Sequence, residues 1–242
     1  MTSGERKVEA TMASDMSAGD PHVVFILDCD NTLLDNDAVK ADYDAGLRAL
    51  LGESLIGRFW AVYEEVRALT GMVDFPLTLT RFRPLCPDGA LFERATTLIM
   101  EYPFATRLYP AALDTLRHLR EIGTPAIVSD GDHRYQPMKI ERSGLLAAVE
   151  GRVLIYVHKE DHLETIFHQW PASFYVIVDD KARILSATKA LFPHRFATVH
   201  VRQGHYGTEP ITTSPPPDLS IASIGDLRQL GVRDFARYVS GQ

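Results

Sequence analysis

The chain has 242 residues, 45% of them hydrophobic and 24% charged. That length sets an expectation of one or two domains with one sizeable core, and the composition excludes a wholly disordered or collagen-like chain. With 25 Lys and Arg against 32 Asp and Glu, the net charge is −7, which argues against a general nucleic-acid binder while allowing a local basic site for an anion. Two cysteines, Cys29 and Cys86, make no disulfide framework, so a reducing, cytoplasmic setting is expected. No stretch of the sequence approaches the roughly 20 apolar residues that span a bilayer, so no membrane role is expected.

Residues 1–20 are small, polar and charged, without the apolar run of a secretory signal, and are expected to form a mobile leader. The first strong signal is the run HVVFIL at 22–27, rich in β-branched residues and stopped by Asp28. Similar short apolar runs recur at 125–128, 153–157, 174–178 and 196–201. Continuous apolar runs of this kind read as strands buried on both faces of a parallel sheet. Between them, 111–122, 136–146, 161–169 and 181–191 carry helical spacing. The alternation predicts an α/β fold with a doubly wound parallel sheet.

The alternation breaks between 37 and 103. Helices are predicted at 37–51, 53–70 and 88–101, with no strand pair among them, so this segment reads as a helical insertion after the first strand. The stretch 76–87 holds Pro76, Pro84 and Pro87 and is expected to be a connector. The predicted organisation is therefore a core over 21–36 and 104–242 and a helical cap over 37–103. Residues 209–217 should be loop, followed by a short strand near 219–221 and a C-terminal helix from Ile224.

Open parallel sheets place ligands outside the carboxyl ends of their strands. The first strand is followed by Asp28-Cys29-Asp30-Asn31-Thr32 and the second by Ser129-Asp130-Gly131-Asp132. The third is followed by His158-Lys159 and the fourth by Asp179-Asp180. Any one polar strand end is ordinary, but four on one edge suggest a site. Asp28, Asp30, Asp179 and Asp180 would gather several carboxylates that cannot all stay ionised unaided. Mg²⁺, a hard cation that takes oxygen ligands, would relieve that repulsion. Ser129 offers a hydroxyl, the turn behind it offers backbone N–H groups, and Lys159 offers a fixed charge. Lys139 is a rival anchor, but it falls mid-helix, so Lys159 is the expected one. A carboxylate nucleophile, a metal, a hydroxyl and a lysine suit phosphoryl transfer through an aspartyl-phosphate.

At these residues the sequence resembles the haloacid dehalogenase superfamily. Asp28-Cys29-Asp30-Asn31-Thr32 is similar to its first motif, Asp-x-Asp-x-Thr, Ser129 to its second, Lys159 to its third, and Asp179-Asp180 to its fourth. The resemblance covers most of residues 22–225. It implies a Rossmann-like core with a mobile cap over the site, a nucleophile at Asp28 and a general acid and base at Asp30. It also implies Mg²⁺ held by Asp28, by the backbone carbonyl of Asp30 and by Asp179 and Asp180. One departure is Asp130, which adds a negative charge next to Ser129 and is expected to point away from the phosphate.

The expected activity is that of a Mg²⁺-dependent phosphatase acting on a small phosphorylated metabolite, with no nucleic-acid partner; the oligomeric state is left open. Candidate substrate contacts are Thr32, Ser129, Gly131 and Lys159, with Arg81 and Arg83 of the insertion as guanidinium groups suited to an anion. Gln203-Gly204-His205-Tyr206, after the fifth strand, reads first as a tight turn and second as a substrate contact. Cys29 reads as packing. Alternatives are a phosphomutase or a dehalogenase of the same superfamily, and a receiver-type phosphoacceptor domain. A dehalogenase needs no leaving-group acid such as Asp30, and a receiver carries its acidic pair after the first strand.

Overall fold

The computed structural model describes residues 22–240; the leader expected at 1–20 lies outside them. Six strands form one parallel sheet: β1 (Val23–Leu27), β2 (Thr124–Asp130), β3 (Val153–Tyr156), β4 (Phe174–Asp179), β5 (Phe196–Val201) and β6 (Leu219–Ile221). Their spatial order is β3-β2-β1-β4-β5-β6. The chain moves one way from β1 to β3, then crosses back and moves the other way, which leaves a crevice between β1 and β4 at the carboxyl edge. This order differs from the 2-1-3-4-5 order of receiver-type domains, so the receiver alternative fails on topology.

The core follows from the two-residue period of a strand. Val23, Phe25 and Leu27 of β1 join one apolar cluster, while Val24 and Ile26 join the other, on the opposite face. All five are at most 1% exposed, which is why the run shows no polar alternation. The first cluster continues into the helices between β1 and β2; the second is closed by Leu163, Ile166, Ile184 and Leu185.

Between β1 and β2 lie α1 (Asn36–Thr70), α2 (Phe75–Phe82), α3 (Gly89–Met100) and α4 (Ala112–Ile122). The helices expected at 37–51 and 53–70 are one run, broken where predicted: Gly52 leaves helical geometry with φ 72°. The connector expected at 76–87 is a correction. Its first half is α2, followed by a 3₁₀ turn at Arg83–Leu85. Asp74 caps the helix by accepting from Leu77 N–H at 2.7 Å. Pro76 sits in the first turn, where its missing N–H costs nothing. Phe75, Leu79 and Phe82 bury one face of this helix. Proline count alone mistook a helix start for a loop.

The two ends of the insertion meet on the core. Leu34 bridges Leu108 antiparallel, Asp35 N–H donates to Arg107 O at 2.8 Å, and Tyr109 N–H donates to Leu33 O at 3.0 Å. Beyond β2, the helix expected at 136–146 is two pieces, α5 (Tyr135–Arg142) and α6 (Leu145–Ala148), parted at Gly144 with φ 83°. Then come α7 (Leu163–Gln169), α8 (Ala182–Leu191) and α9 (Gly204–Gly207). The C-terminal helix expected from Ile224 is a 3₁₀ turn at Ile224–Gln229 and then α10 (Val232–Ala236). Among the described residues no helix is long and apolar enough to cross a membrane. Both cysteines are free and buried.

The insertion leans on the carboxyl edge. Tyr43 of α1 shares a 2.6 Å hydroxyl contact with Tyr135, which opens α5 just behind the end of β2. Phe75 packs 5.0 Å from the same ring. On the other side, Asp37 accepts from the backbone N–H of His205 at 2.8 Å.

Candidate active site

Parallel register brings the predicted strand ends together. Leu27 pairs with Val178 of β4, so Asp28 and Asp179, each one residue on, come level at the edge. The N–H of Asp28 donates to Val178 O at 3.0 Å, which extends the ladder by one step. One carboxylate oxygen from each of Asp28, Asp179 and Asp180 lies within 4.8 Å of the other two, and all three residues are buried. Lys159, from a 3₁₀ turn at Lys159–His162 after β3, reaches into this group. Its Nζ lies 2.5 Å from Asp28 Oδ1 and 2.7 Å from Asp179 Oδ2, and it donates to Val128 O at 3.2 Å. The departure at Asp130 has a structural use: its Oδ1 accepts the Lys159 backbone N–H at 2.8 Å and so aims the lysine.

Burial and like charge dominate the electrostatics. Burial pushes Asp28 up to about 6, against the pull of Lys159 and with the help of Asp179. Burial, then the neighbouring Asp179 and Asp28, pushes Asp180 up to about 9. Burial would raise Asp179, but the Lys159 and Lys181 ammonium groups, with the hydrogen bonds these residues donate, together override it and hold this carboxyl below its ordinary value. Burial disfavours the charge on Lys159, yet Asp179 and Asp28 more than compensate and keep it protonated. Asp28 Oδ2 and both oxygens of Asp180 are buried without a hydrogen-bond partner. Buried carboxylate oxygens left this way are costly unless a cation or proton meets them.

Asp30 stands apart from this cluster. Its carboxylate accepts from Lys139 Nζ at 2.6 and 2.7 Å, and from Gln136 Nε2 at 3.3 Å. Gln136 also donates to Ser129 Oγ at 3.0 Å. The two lysines weighed as rivals in the sequence therefore both enter the site and hold different carboxylates.

The other expected contacts fall as follows. Thr32 is fully buried, with its Oγ1 unpartnered and its carbonyl accepting from Gln203 Nε2 at 3.3 Å. The turn after Ser129 is less open to an anion than expected. The N–H of Gly131 donates to Tyr156 O at 2.9 Å, and Asp132 Oδ1 accepts from Arg134 and Tyr135 N–H at 2.8 and 2.7 Å. Arg83 donates to Cys86 O at 2.9 Å and lies 5.0 Å from the Phe92 ring; Arg81 is exposed on α2. Gln203 is a clamp within the core, with Oε1 accepting from Ile224 N–H at 2.5 Å. Gly204, at φ +64°, allows the next residues to close on the first motif, since a Cβ there would lie 2.4 Å from the Asn31 side chain. His205 then meets Asp37 at 2.7 Å.

Sequence reasoning missed Gln136, Asn36 and Lys181. Gln136 and Lys139 stand three apart on the helix that begins behind Ser129, so its first turns face the site. That signal was available in the predicted helix at 136–146. Lys181 follows the acidic pair, and its N–H donates to Asp179 Oδ1 at 2.8 Å. Burial disfavours its charge, but Asp28 and Asp179 raise its affinity for the proton.

A six-stranded parallel sheet with a helical insertion and an acidic cluster at its switch point defines a class of α/β enzyme, and comparison with known structures identifies the family. A Burkholderia xenovorans protein described as a haloacid dehalogenase-like hydrolase is 46% identical, covers 87% of this chain and 99% of its own, and superposes with a TM-score of 0.79. The chain belongs to the haloacid dehalogenase-like hydrolases. Two more distant structures share the fold. A magnesium-bound HAD-hydrolase, YfnB of Bacillus subtilis, is 16% identical over 87% of this chain and 98% of its own, with a TM-score of 0.58. A 2-haloacid dehalogenase of Pseudomonas syringae is 14% identical over 86% and 97%, with a TM-score of 0.60. No protein-family model and no curated protein matches the sequence.

Proposed function

We propose that this hydrolase is a Mg²⁺-dependent phosphatase that cleaves a small phosphomonoester through a phosphoryl group carried on Asp28. The observation that carries this reading is the buried cluster of Asp28, Asp179 and Asp180, with three unpartnered carboxylate oxygens on Asp28 and Asp180. An all-oxygen donor set with excess negative charge suits a hard divalent cation. Asp28, Asp179 and Asp180 would hold it, with the Asp30 carbonyl as the fourth group that the family resemblance implies. When bound, Mg²⁺ supplies charge neutralisation for the carboxylates and for the phosphoryl oxygens.

The chain's own residues account for the remaining steps. Asp28 attacks phosphorus, forming its O–P bond as the ester P–O bond breaks. Asp30, entering the cycle as the carboxylic acid, gives its proton to the departing alkoxide and regains one from the water that attacks the phosphoryl group, returning Asp28 and free phosphate. Lys159 holds the Asp28 carboxylate in place and balances its charge. Because Gln136 donates to Ser129 Oγ, the Ser129 hydroxyl proton is left to donate to a phosphoryl oxygen. The helical insertion, seated on Tyr135 and His205, serves as the lid that shields transfer.

Dehalogenation is the competing chemistry. A halide leaves without a proton, so dehalogenation gives Asp30 no leaving group to protonate, and the ester formed on Asp28 would need only a base for the attacking water. Phosphate release from p-nitrophenyl phosphate and a panel of metabolite phosphates, with Mg²⁺ and with EDTA, tests the proposal. Halide release from 2-haloacids without phosphate release from any ester would reverse it.

A further inference from the structure

We infer that Lys139 is a positioning residue that fixes the Asp30 carboxylate and ties its orientation to the root of the helical insertion through Asn36. The consequence for turnover rests on the phosphatase reading; the coupling itself rests on geometry. Lys139 sits on α5, is 3% exposed, and has three acceptors for its three ammonium protons. Two are the oxygens of Asp30, at 2.6 and 2.7 Å. The third is Asn36 Oδ1, at 3.2 Å. Asn36 is the first residue of α1, where the chain leaves the core for the insertion, and its N–H donates to Asn31 Oδ1 at 3.1 Å. One buried ammonium therefore joins a core carboxylate to the start of the insertion. The face is built for this, since Gln136 stands one turn earlier and holds Ser129 and Asp30 together.

A buried amine that loses one of three acceptors must find another. Displacing the root of α1 removes Asn36, and the ammonium then recentres on Asp30. The position of the insertion is in this way relayed to the group that handles the proton.

The experiment uses Lys139→Met, Lys139→Arg and Asn36→Ala in the full-length protein. kcat and KM are measured with p-nitrophenyl phosphate, whose leaving group needs little protonation, and with phenyl phosphate, whose leaving group needs more. Lys139→Met should lower kcat for phenyl phosphate by about 30-fold, lower it several-fold less for p-nitrophenyl phosphate, and leave KM within about threefold. Lys139→Arg should recover about a third or more of the loss, and Asn36→Ala should show the same leaving-group bias at about fivefold. Crystal structures of the variants give a readout without turnover: the Asp30 carboxylate should shift in Lys139→Met and in Asn36→Ala. Equal losses with both esters, or an unmoved Asp30 in both variants, would overturn the inference. If the wild type cleaves neither these esters nor any of the metabolite phosphates, the phosphatase reading falls and the Asp30 shift alone decides the positioning role. Should Lys139→Met fail to fold, Lys139→Arg and Asn36→Ala carry the same test.

Discussion

The two lysines of the site invite comparison. Lys159 comes from a strand end, lies between Asp28 and Asp179, and has both carboxylates at most 2% exposed beside it. Its backbone is aimed by Asp130 of β2 and its Nζ also reaches Val128 O, so all its named partners belong to the sheet edge. Lys139 comes from a helix, holds Asp30, whose side chain is 24% exposed, and reaches the insertion through Asn36. The difference teaches how the labour divides in the proposed reaction. The nucleophile and the acidic cluster are built from parallel strand ends, whose register leaves little freedom. The proton-handling carboxylate is built from a loop, a helix and the root of the insertion, which can respond to closure.

The largest expected effect tests the rigid half. Asp28→Asn keeps volume and removes the nucleophilic charge, so phosphate release should fall by about 1,000-fold or more while the fold persists. Residual activity within about tenfold of wild type would remove Asp28 from the mechanism.

The next sets the lysines against each other. Lys159→Met leaves Asp28 and Asp179 facing each other in the interior, which should cost about 3 kcal/mol of stability. Lys139→Met leaves a carboxylate that water can reach, so its cost should be about 1 kcal/mol. Urea unfolding of both variants reads the difference, and equal losses would break the comparison.

A smaller effect concerns charge and pH. Asp28 at about 6 and Asp180 at about 9 lie above the ordinary 3.8 of an unfolded aspartate. The native metal-free protein then binds protons that the unfolded chain has already released above pH ~4. Its stability should fall as pH rises from about 4 through 9, the sign expected of carboxyls raised by folding. A fixed Mg²⁺ concentration about 100 times its Kd at pH 8 should restore about 2–3 kcal/mol there, and less at pH 5, where protons compete for the same carboxylates. Thermal melts with Mg²⁺ and with EDTA at the two pH values would show it. Asp180→Asn should flatten the pH dependence, and an unchanged Tm on adding Mg²⁺ at pH 8 would count against the cation.

The smallest effect lies outside both halves. The Arg83 guanidinium is engaged by Cys86 O and Phe92. Arg83→Ala should therefore leave KM within about twofold. A KM rise well beyond that, with kcat unchanged, would place Arg83 in the substrate's path.

The central strands and their chemistry were legible because a strand buried on both faces must be a continuous apolar run, and its polar stop marks the carboxyl edge; β3, half-buried at the sheet edge, kept the same apolar run. Asp28, Ser129, Lys159 and Asp179 could all be found from that one rule. Lys139 and Gln136 were harder to see, because a polar residue in a helix reads as solvent-facing until the neighbouring layer is known. Pro76 misled for a related reason: proline breaks a helix interior but suits its first turn, and only Asp74 before it distinguishes the two.

By itself, the sequence determined the order of elements, the break in the alternation at the insertion, and which residue types stand at each strand end. These are local properties, set by periodicity and by turn chemistry within a few positions. The tertiary structure alone decided which lysine meets which aspartate, that the Gly131 N–H after Ser129 is taken by Tyr156 O, and that Asn36 closes on Lys139. Each of these joins residues tens of positions apart. Such pairings depend on strand register, helix rotation and the seat of the insertion, and no local pattern encodes them.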